Sequence, residues 1–263
     1  MNLFASIGRR TAEAAQALIE FFAFLGETTL EAVGALFIPR RFRFGDCALA
    51  FQRAAFDALP IVSLIGFLLG LILAFQSAAA LQTFGVESYV ANLLAIALFR
   101  ELGPLVTAII LAGRTGSAFA AEIGTMKVDE ELDALSTMGL PPVRFLVLPR
   151  IAAAVLAMPI LTIFAETAGL IGGALVLEMM GVPNVVYWRN VTNSSSVFNI
   201  VFGLGKAALF GFLVALVSCS AGMRTKSTAD GVGTAATSAV VSSIVAIALG
   251  DGLLAFLCHL WGI

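Results

Sequence analysis

Charged side chains are scarce in this chain: Asp, Glu, Lys and Arg make up 12% of its 263 residues. A soluble globular domain carries about 25% charged residues, so this chain has too few charges to cover a surface that faces water. The residues Ala, Val, Ile, Leu, Met, Phe, Trp, Tyr and Cys make up 60%, and the mean hydropathy is +1.00. These values indicate a polytopic membrane protein. A net charge of −2 also excludes the basic surface of a nucleic-acid-binding protein.

Histidine and cysteine are almost missing. The single histidine is His259, and Cys47, Cys219 and Cys258 are far apart with no CxxC pair. We interpret the cysteines as small apolar residues. No GxxxxGK[ST] motif is present, so the chain has no loop of its own to bind ATP phosphates. We therefore expect no metal site, no cofactor and no catalytic residue in this chain.

Long apolar runs dominate what is present. About 20 such residues suffice for a helix to cross a membrane. Five segments qualify, at about residues 58–86, 89–113, 151–177, 197–222 and 232–260. The sequence thus predicts an all-α fold with a five-span domain over residues 54–263.

Residues 1–53 contain no span. Their polar residues recur at spacings of 3, 4 or 7, which places them on one helical stripe; they are Arg9, Glu13, Gln16, Glu20, Glu27 and Glu31. The pattern predicts an amphipathic helix in the membrane interface, followed by a basic linker with Arg40, Arg41 and Arg43. Interfacial helices usually carry Lys and Arg on this face, so a helix packed on the protein's own core is an equal alternative.

Positive charge predicts the orientation, because Lys and Arg concentrate in cytoplasmic segments. With the N-terminus inside, the cytoplasmic segments hold twelve Lys and Arg residues, and the outer loops hold only Arg189. The N-terminus is therefore predicted inside and the C-terminus outside. Segment 114–150, between spans 2 and 3, is predicted to be a cytoplasmic loop.

Five ionisable residues fall inside the predicted spans: Arg100, Glu101, Glu166, Lys206 and Asp251. Such groups cost several kcal/mol at mid-membrane and usually face a bundle interior or a cavity. Pairing Arg100 or Lys206 with Glu101 or Asp251 would lower that cost. The residues are interpreted either as a polar patch in a substrate cavity or as ion pairs that only join spans 2, 4 and 5.

Glu166 stands alone on span 3, close to Gly169 and the pair Gly172-Gly173. These glycines, like Gly66-x3-Gly70 in span 1, favour close packing of helices. We therefore expect Glu166 to have a structural role rather than a place in the substrate cavity. Pro104 is expected to kink span 2 beside Glu101.

The loop between spans 2 and 3 carries an amphipathic pattern. Leu132, Leu135 and Met138 share one helical face, and Gly139 with the following prolines ends the helix. An apolar stripe of this kind suits docking into a groove of another protein. Packing on the chain's own bundle is the alternative.

Two strings in this region are long and specific: RELGP at 100–104 and AGRTGSAFAAEIGTMKV at 112–128. With the following DEELDALSTMGLPP and the LVLPR at 146–150, they closely resemble the MlaE/YrbE permeases, the membrane subunits of MCE-type ABC lipid transporters. The resemblance covers nearly the whole chain, including the N-terminal helix and the five spans.

The resemblance implies a non-catalytic permease subunit in the bacterial inner membrane that moves phospholipid. Its implied partners are a second copy of this chain, a cytoplasmic ATPase dimer that binds ATP and Mg²⁺, and a periplasmic MCE-domain protein. Residues 122–140 would form the coupling helix that docks on the ATPase. The implied coupling residues are Glu122, Lys127, Glu130, Glu131, Leu132, Leu135 and Met138. Arg100 and Glu101 match the family's charged pair, and Lys206 and Asp251 fall where the family places polar residues near its lipid cavity.

Three alternatives remain at this point. A permease of the same family could carry sterols or other hydrophobic molecules. A secondary transporter could use Glu101 or Asp251 as a proton carrier, but it predicts inverted repeats, and the five spans show none. An intramembrane lipid-modifying enzyme would need a nucleophile with a base or a metal cluster, which one terminal histidine supports poorly.

Overall fold

The computed structural model describes residues 16, 19–34, 43–83, 85–226 and 228–261. These residues are helical apart from short turns, and none of them forms a strand. Five helical segments are long and apolar enough to cross a membrane, which confirms the predicted fold class; they are Phe44–Gln82, Glu87–Val128, Val143–Met179, Val197–Met223 and Asp230–Leu260. Arg9, Glu13, Arg40 and Arg41, on which part of the N-terminal prediction depends, lie outside the described residues.

The helices are numbered in chain order. They are α1 (19–34), α2 (Phe44–Ala55), α3 (Leu59–Gln82), α4 (Val90–Ala97), α5 (Gly103–Leu111), α6 (Ser117–Val128), α7 (Glu131–Thr137), α8 (Leu148–Met179), α9 (Asn184–Ser194), α10 (Val197–Met223) and α11 (Ala229–Trp261). Three π-helical turns, at Leu98–Leu102, Ala112–Gly116 and Val143–Val147, join α4 to α5, α5 to α6, and the segment after α7 to α8.

Helix α8 is the central helix of the bundle and packs against α2, α3, α5 and α10. Its approach to α3 depends on glycine, because a Cβ atom on Gly70 would overlap the backbone of Gly169. Gly66 meets the backbone of Ala165 in the same way one turn earlier. The expectation that the span glycines permit close helix packing is confirmed at this interface.

Span 2 is not a single regular helix. Pro104 has no N–H group to continue the α-helical ladder, and the turn before it widens so that the Gly103 N–H donates to the carbonyl of Leu98, five residues back. π-turns of this kind cluster at functional sites. The predicted irregularity at Pro104 therefore takes the form of a π-helical turn, and this turn contains Arg100 and Glu101.

Two boundaries differ from the prediction. Helix α2 lies in the stretch predicted as interfacial helix and linker, because Ala54 and Ala55 are buried and α2 packs along α8. The helical segment that contains span 2 continues through α6 to Val128, beyond the predicted end of the span near residue 113. The predicted loop 114–150 is thus largely helical, since Phe119, Ala120 and Ile123 of α6 are buried in the bundle.

Helix α1 packs on the bundle with one face. Phe21, Phe24 and Leu25 lie against the main core cluster, and Thr28 is buried. Leu30, on the opposite side, is exposed. Two acidic residues of the stripe pair with the protein's own arginines, Glu31 with Arg144 and Glu20 with Arg224, while Glu27 between them is exposed. These pairs explain the acidic residues at positions 20 and 31.

Candidate functional site

Four of the five in-span charges meet in one place. Lys206 of α10 is nearly inaccessible, with 1% of its side chain exposed, and its ammonium group pairs with Oε2 of Glu101 and, at 2.5 Å, with Oδ1 of Asp251. The Nε atom of Arg100 lies 3.9 Å from Oε1 of Glu101. We call Arg100, Glu101, Lys206 and Asp251 the intramembrane cluster. It joins spans 2, 4 and 5 and balances two positive against two negative charges, as the pairing argument predicts.

The backbone around the cluster places these side chains. The π-turn leaves the carbonyl of Phe99 facing α10, where a Cβ atom on Gly203 would collide with it. The missing side chain therefore allows α10 to lie directly against span 2. Lys206 follows Gly203 by three residues and faces the same side of α10, so the close approach brings its ammonium group to Glu101.

One side of the cluster is open. The side chain of Glu101 is 38% exposed, and those of Arg100 and Asp251 are partly exposed, while Lys206 is enclosed. The guanidinium carbon of Arg100 also lies 5.9 Å from the ring centre of Phe202. The cluster can thus present both a carboxylate and a guanidinium group to a molecule that arrives from the open side.

Glu166 is separate from this arrangement. It is buried in α8, where its side chain fills the space left by Gly103. It is not among the ion-pair partners of Lys206. The structure therefore packs Glu166 beside the π-turn without joining it to the intramembrane cluster.

The predicted coupling helix over 122–140 is wrong as a single helix. Helix α6 ends at Val128 and α7 begins at Glu131. Glu130 between them has a φ of 61°, a left-handed conformation that ends regular helical geometry. The predicted end is confirmed, because Gly139 follows α7 with a φ of 73°.

The seven implied coupling residues divide into two groups. Glu122, Lys127 and Leu132 make contacts within the chain: Glu122 pairs with two arginines, Lys127 donates to the carbonyl of Met223 at 2.6 Å, and Leu132 is buried. Leu132 is thus covered by the bundle, whereas the side chains of Glu122 and Lys127 are partly exposed. The other four are accessible to different degrees. Glu130 and Glu131 are exposed, Leu135 is half-buried, and Met138 is 64% exposed.

Sequence reasoning missed the ion pairs at this end of the bundle. Glu122 of α6 accepts a hydrogen bond from Nη2 of Arg150 at 2.9 Å and from Nη1 of Arg53 at 3.2 Å. We call Arg53, Glu122 and Arg150 the coupling-end network, and it ties α2 and α8 to α6. The sequence showed these arginines only as topology signals, and their separation along the chain gave no sign that they converge.

Comparison with known proteins agrees with this architecture. The family model "Permease MlaE" matches residues 48–257. A probable ABC transporter permease protein of Rickettsia bellii is 34% identical over 255 residues, which cover 97% of this chain and 96% of the relative. The intermembrane phospholipid transport system permease protein MlaE of Haemophilus influenzae is 34% identical over 254 residues and 95% of each chain. The chloroplast protein TRIGALACTOSYLDIACYLGLYCEROL 1 of Arabidopsis thaliana is 35% identical over 77% of this chain and 58% of its own length.

A permease subunit of an ABC transporter is the non-catalytic membrane component, and ATP hydrolysis takes place in a separate ATPase subunit. The family match covers spans 2, 3 and 4, most of spans 1 and 5, the intramembrane cluster and the segment between spans 2 and 3. This chain belongs to the MlaE family of ABC transporter permeases.

Proposed function

We propose that this chain moves phospholipid between the bacterial inner membrane and a periplasmic MCE-domain protein, with energy from a separate ATPase dimer that binds ATP and Mg²⁺. The observation that carries the proposal is the intramembrane cluster, in which a buried lysine holds two carboxylates from other spans. The name of the Haemophilus relative, an intermembrane phospholipid transport permease, supports this cargo.

The chemistry of the cluster suits a phospholipid. A lipid phosphate is an anion that binds guanidinium and ammonium groups, and Arg100 lies at the open side of the cluster. The acyl chains need apolar walls. Exposed leucines of spans 1 and 5, such as Leu64, Leu68 and Leu253, offer them. A head group that displaces Arg100 from Glu101 would exchange one ion pair for another within the membrane.

A second copy of the chain would close the open side. Helix α11 is the least buried of the five spans, because only one stripe of it, with Ala235, Ala239 and Ile247, packs on its own bundle. Large residues such as Val241 and Leu249 remain exposed. We propose that two copies form a homodimer around a shared cavity that includes both intramembrane clusters.

The coupling segment, residues 129–147, is proposed to dock on the ATPase. Its accessible residues include Met138, Glu130 and Glu131, and Leu135 is half-buried. With the N-terminus inside, this segment faces the cytoplasm, and α1 lies along the same face in the membrane interface. Closure of the ATPase dimer would push α7 and narrow the cavity, so that lipid passes between it and the MCE protein.

The test is to purify the tagged chain in a gentle detergent and to identify co-purifying proteins and lipids by mass spectrometry. The proposal expects an ABC ATPase, an MCE-domain protein and phospholipid in the same preparation. Sterols or other neutral lipids in place of phospholipid would overturn the proposed cargo. A folded chain recovered without any ATPase would overturn the proposed energy source.

A further inference from the structure

We propose that Glu31 of α1 is a positioning residue that holds the hinge of the coupling segment through Arg144. Its transport role depends on the function proposed above, whereas the contact itself belongs to this chain alone. The Glu31 carboxylate accepts two hydrogen bonds from Arg144, from Nε at 2.6 Å and from Nη2 at 3.1 Å. A two-bond pair between arginine and a carboxylate fixes orientation as well as distance.

Arg144 lies in the π-turn that connects α7 with α8. We call this π-turn the coupling joint. Helix α7 ends at Thr137, Gly139 and two prolines follow, and the π-turn Val143–Val147 then leads directly into α8. α8 is also the central helix of the bundle. A displacement of α7 can reach α8 through this π-turn, as it can reach α6 through Asp129 and Glu130. Glu31 contacts the π-turn from the side of α1 through Arg144.

Helix α1 is itself anchored well enough to act as a support. Phe21, Phe24 and Leu25 pack against the core cluster that contains Leu132 of α7. At its other end, Glu20 lies 3.8 Å from Arg224 in the turn between α10 and α11. Glu20 and Glu31 are eleven residues apart, or about 16 Å along a helix. α1 thus connects the π-turn before α8, through Glu31, with the turn between α10 and α11, through Glu20.

The surroundings make the Glu31–Arg144 pair stronger than an ordinary surface pair. Both side chains are mostly buried, with 20% and 28% exposed, so water and salt screen the pair less than they would at a fully exposed site. Glu27, one turn earlier on α1, is exposed. It provides a matched control, with the same residue type on the same helix away from the joint.

The test uses two spin labels, placed at Thr29→Cys in α1 and Thr137→Cys at the end of α7, in nanodiscs that contain the complex with its ATPase. Thr29 and Thr137 are exposed, and the three native cysteines are buried, so labelling is selective. Labelled chains are diluted with an excess of unlabelled chains, so that label pairs within one chain dominate. Pulsed electron paramagnetic resonance should then give one narrow distance distribution in the doubly labelled protein with native Glu31. E31Q should widen it at least twofold, E27Q should leave it unchanged, and the exchange E31R/R144E should restore it.

The functional measurement is the amount of fluorescent phospholipid moved per ATP hydrolysed. E31Q should lower this ratio at least threefold while the ATPase stays bound, and E31R/R144E should raise it again. If E31Q cannot be purified, R144K carries the test, because lysine keeps the charge but cannot make the two-bond pair; it should widen the distance distribution to an intermediate extent.

An unchanged distance distribution in E31Q, or no recovery in E31R/R144E, would overturn the proposal. Failure of the proposed function is a separate result. If no ATPase co-purifies, the distance measurement on the permease alone still decides whether Glu31 holds the coupling joint.

Discussion

The intramembrane cluster and the coupling-end network use the same chemistry in different surroundings. In the first, a lysine with 1% of its side chain exposed holds two carboxylates between apolar spans. In the second, a glutamate holds two arginines, of which Arg53 is 60% exposed. Removing one partner from a buried ion pair leaves an unpaired charge and costs several kcal/mol, whereas exposed pairs contribute little. The geometry of a salt bridge alone therefore does not show how much it contributes to stability. That contribution depends on how deeply the pair is buried.

The largest loss of stability is expected from K206A. The substitution leaves Glu101 and Asp251 facing each other inside the membrane without their shared cation, which should cost about 3–5 kcal/mol of stability. The measurement is the thermal unfolding midpoint of the purified protein in detergent.

The double variant K206A/D251N provides the control for K206A. It leaves Arg100 paired with Glu101 and removes the excess negative charge, so it should recover a large part of the loss. Equal midpoints for K206A and the double variant would show that the lost packing of Lys206, and not the unpaired charge, causes the destabilisation.

The next largest loss of stability is expected from G203A, which tests how the close approach of α10 to span 2 assembles the intramembrane cluster. G203A places a methyl group against the carbonyl of Phe99 and should push α10 away from span 2, separating Lys206 from Glu101. Overpacking of this kind costs about 1–3 kcal/mol. G205A is the matched control, because a Cβ atom at Gly205 meets nothing. Comparing the two unfolding midpoints isolates the contact with Phe99, and similar midpoints would show that α10 can shift at no cost.

At the coupling end, E122Q should have a smaller effect. Glutamine keeps the shape of the side chain but loses its charge, so the hydrogen bonds from Arg53 and Arg150 weaken. We expect a loss of about 1–2 kcal/mol, since a hydrogen bond to a charged group contributes about 1.5–3 kcal/mol and glutamine retains part of it. Denaturation midpoints in detergent check the value. A loss as large as that of K206A would remove the contrast between the two regions.

The smallest effect is expected from R53A, which removes only the exposed arm of the coupling-end network. Arg150, with 16% of its side chain exposed, still holds Glu122. The expected loss is below about 1 kcal/mol and should shrink further in high salt. Measuring the difference from wild type at two salt concentrations tests this, and a large loss that salt does not change would contradict it.

The sequence was sufficient for the parts of the fold that depend on local composition. Mostly apolar runs of more than 20 residues predict five spans, and the cost of charge in a membrane predicts that Lys206 pairs with Glu101 or Asp251. Gly139 and the prolines after it correctly marked the end of α7. The spans and the end of α7 follow from the local sequence. The pairing of Lys206 follows from the high free-energy cost of an unpaired charge in a membrane, which few arrangements avoid.

The remaining features depend on contacts between distant segments. The sequence predicts a linker where α2 forms, because the apolar face of α2 is buried only through its contact with α8, a distant segment. The left-handed conformation of Glu130 and the pairing of Glu122 with Arg53 and Arg150 depend on how α6 packs in the bundle, which periodicity does not encode. Helical spacing grouped Leu132 with Met138, but six residues turn a helix to about 120° short of two full turns, and Met138 follows the last residue of α7. Leu132 is therefore buried and Met138 is exposed.

The central claim is that the intramembrane cluster lines the path of the lipid. The most direct measurement is phospholipid-stimulated ATP hydrolysis by the assembled complex in nanodiscs, comparing wild type with E101A. We predict that E101A assembles with its ATPase and keeps basal hydrolysis but loses the stimulation by phospholipid. Full stimulation in an assembled E101A complex would contradict the claim and would leave the cluster as a structural joint between spans 2, 4 and 5.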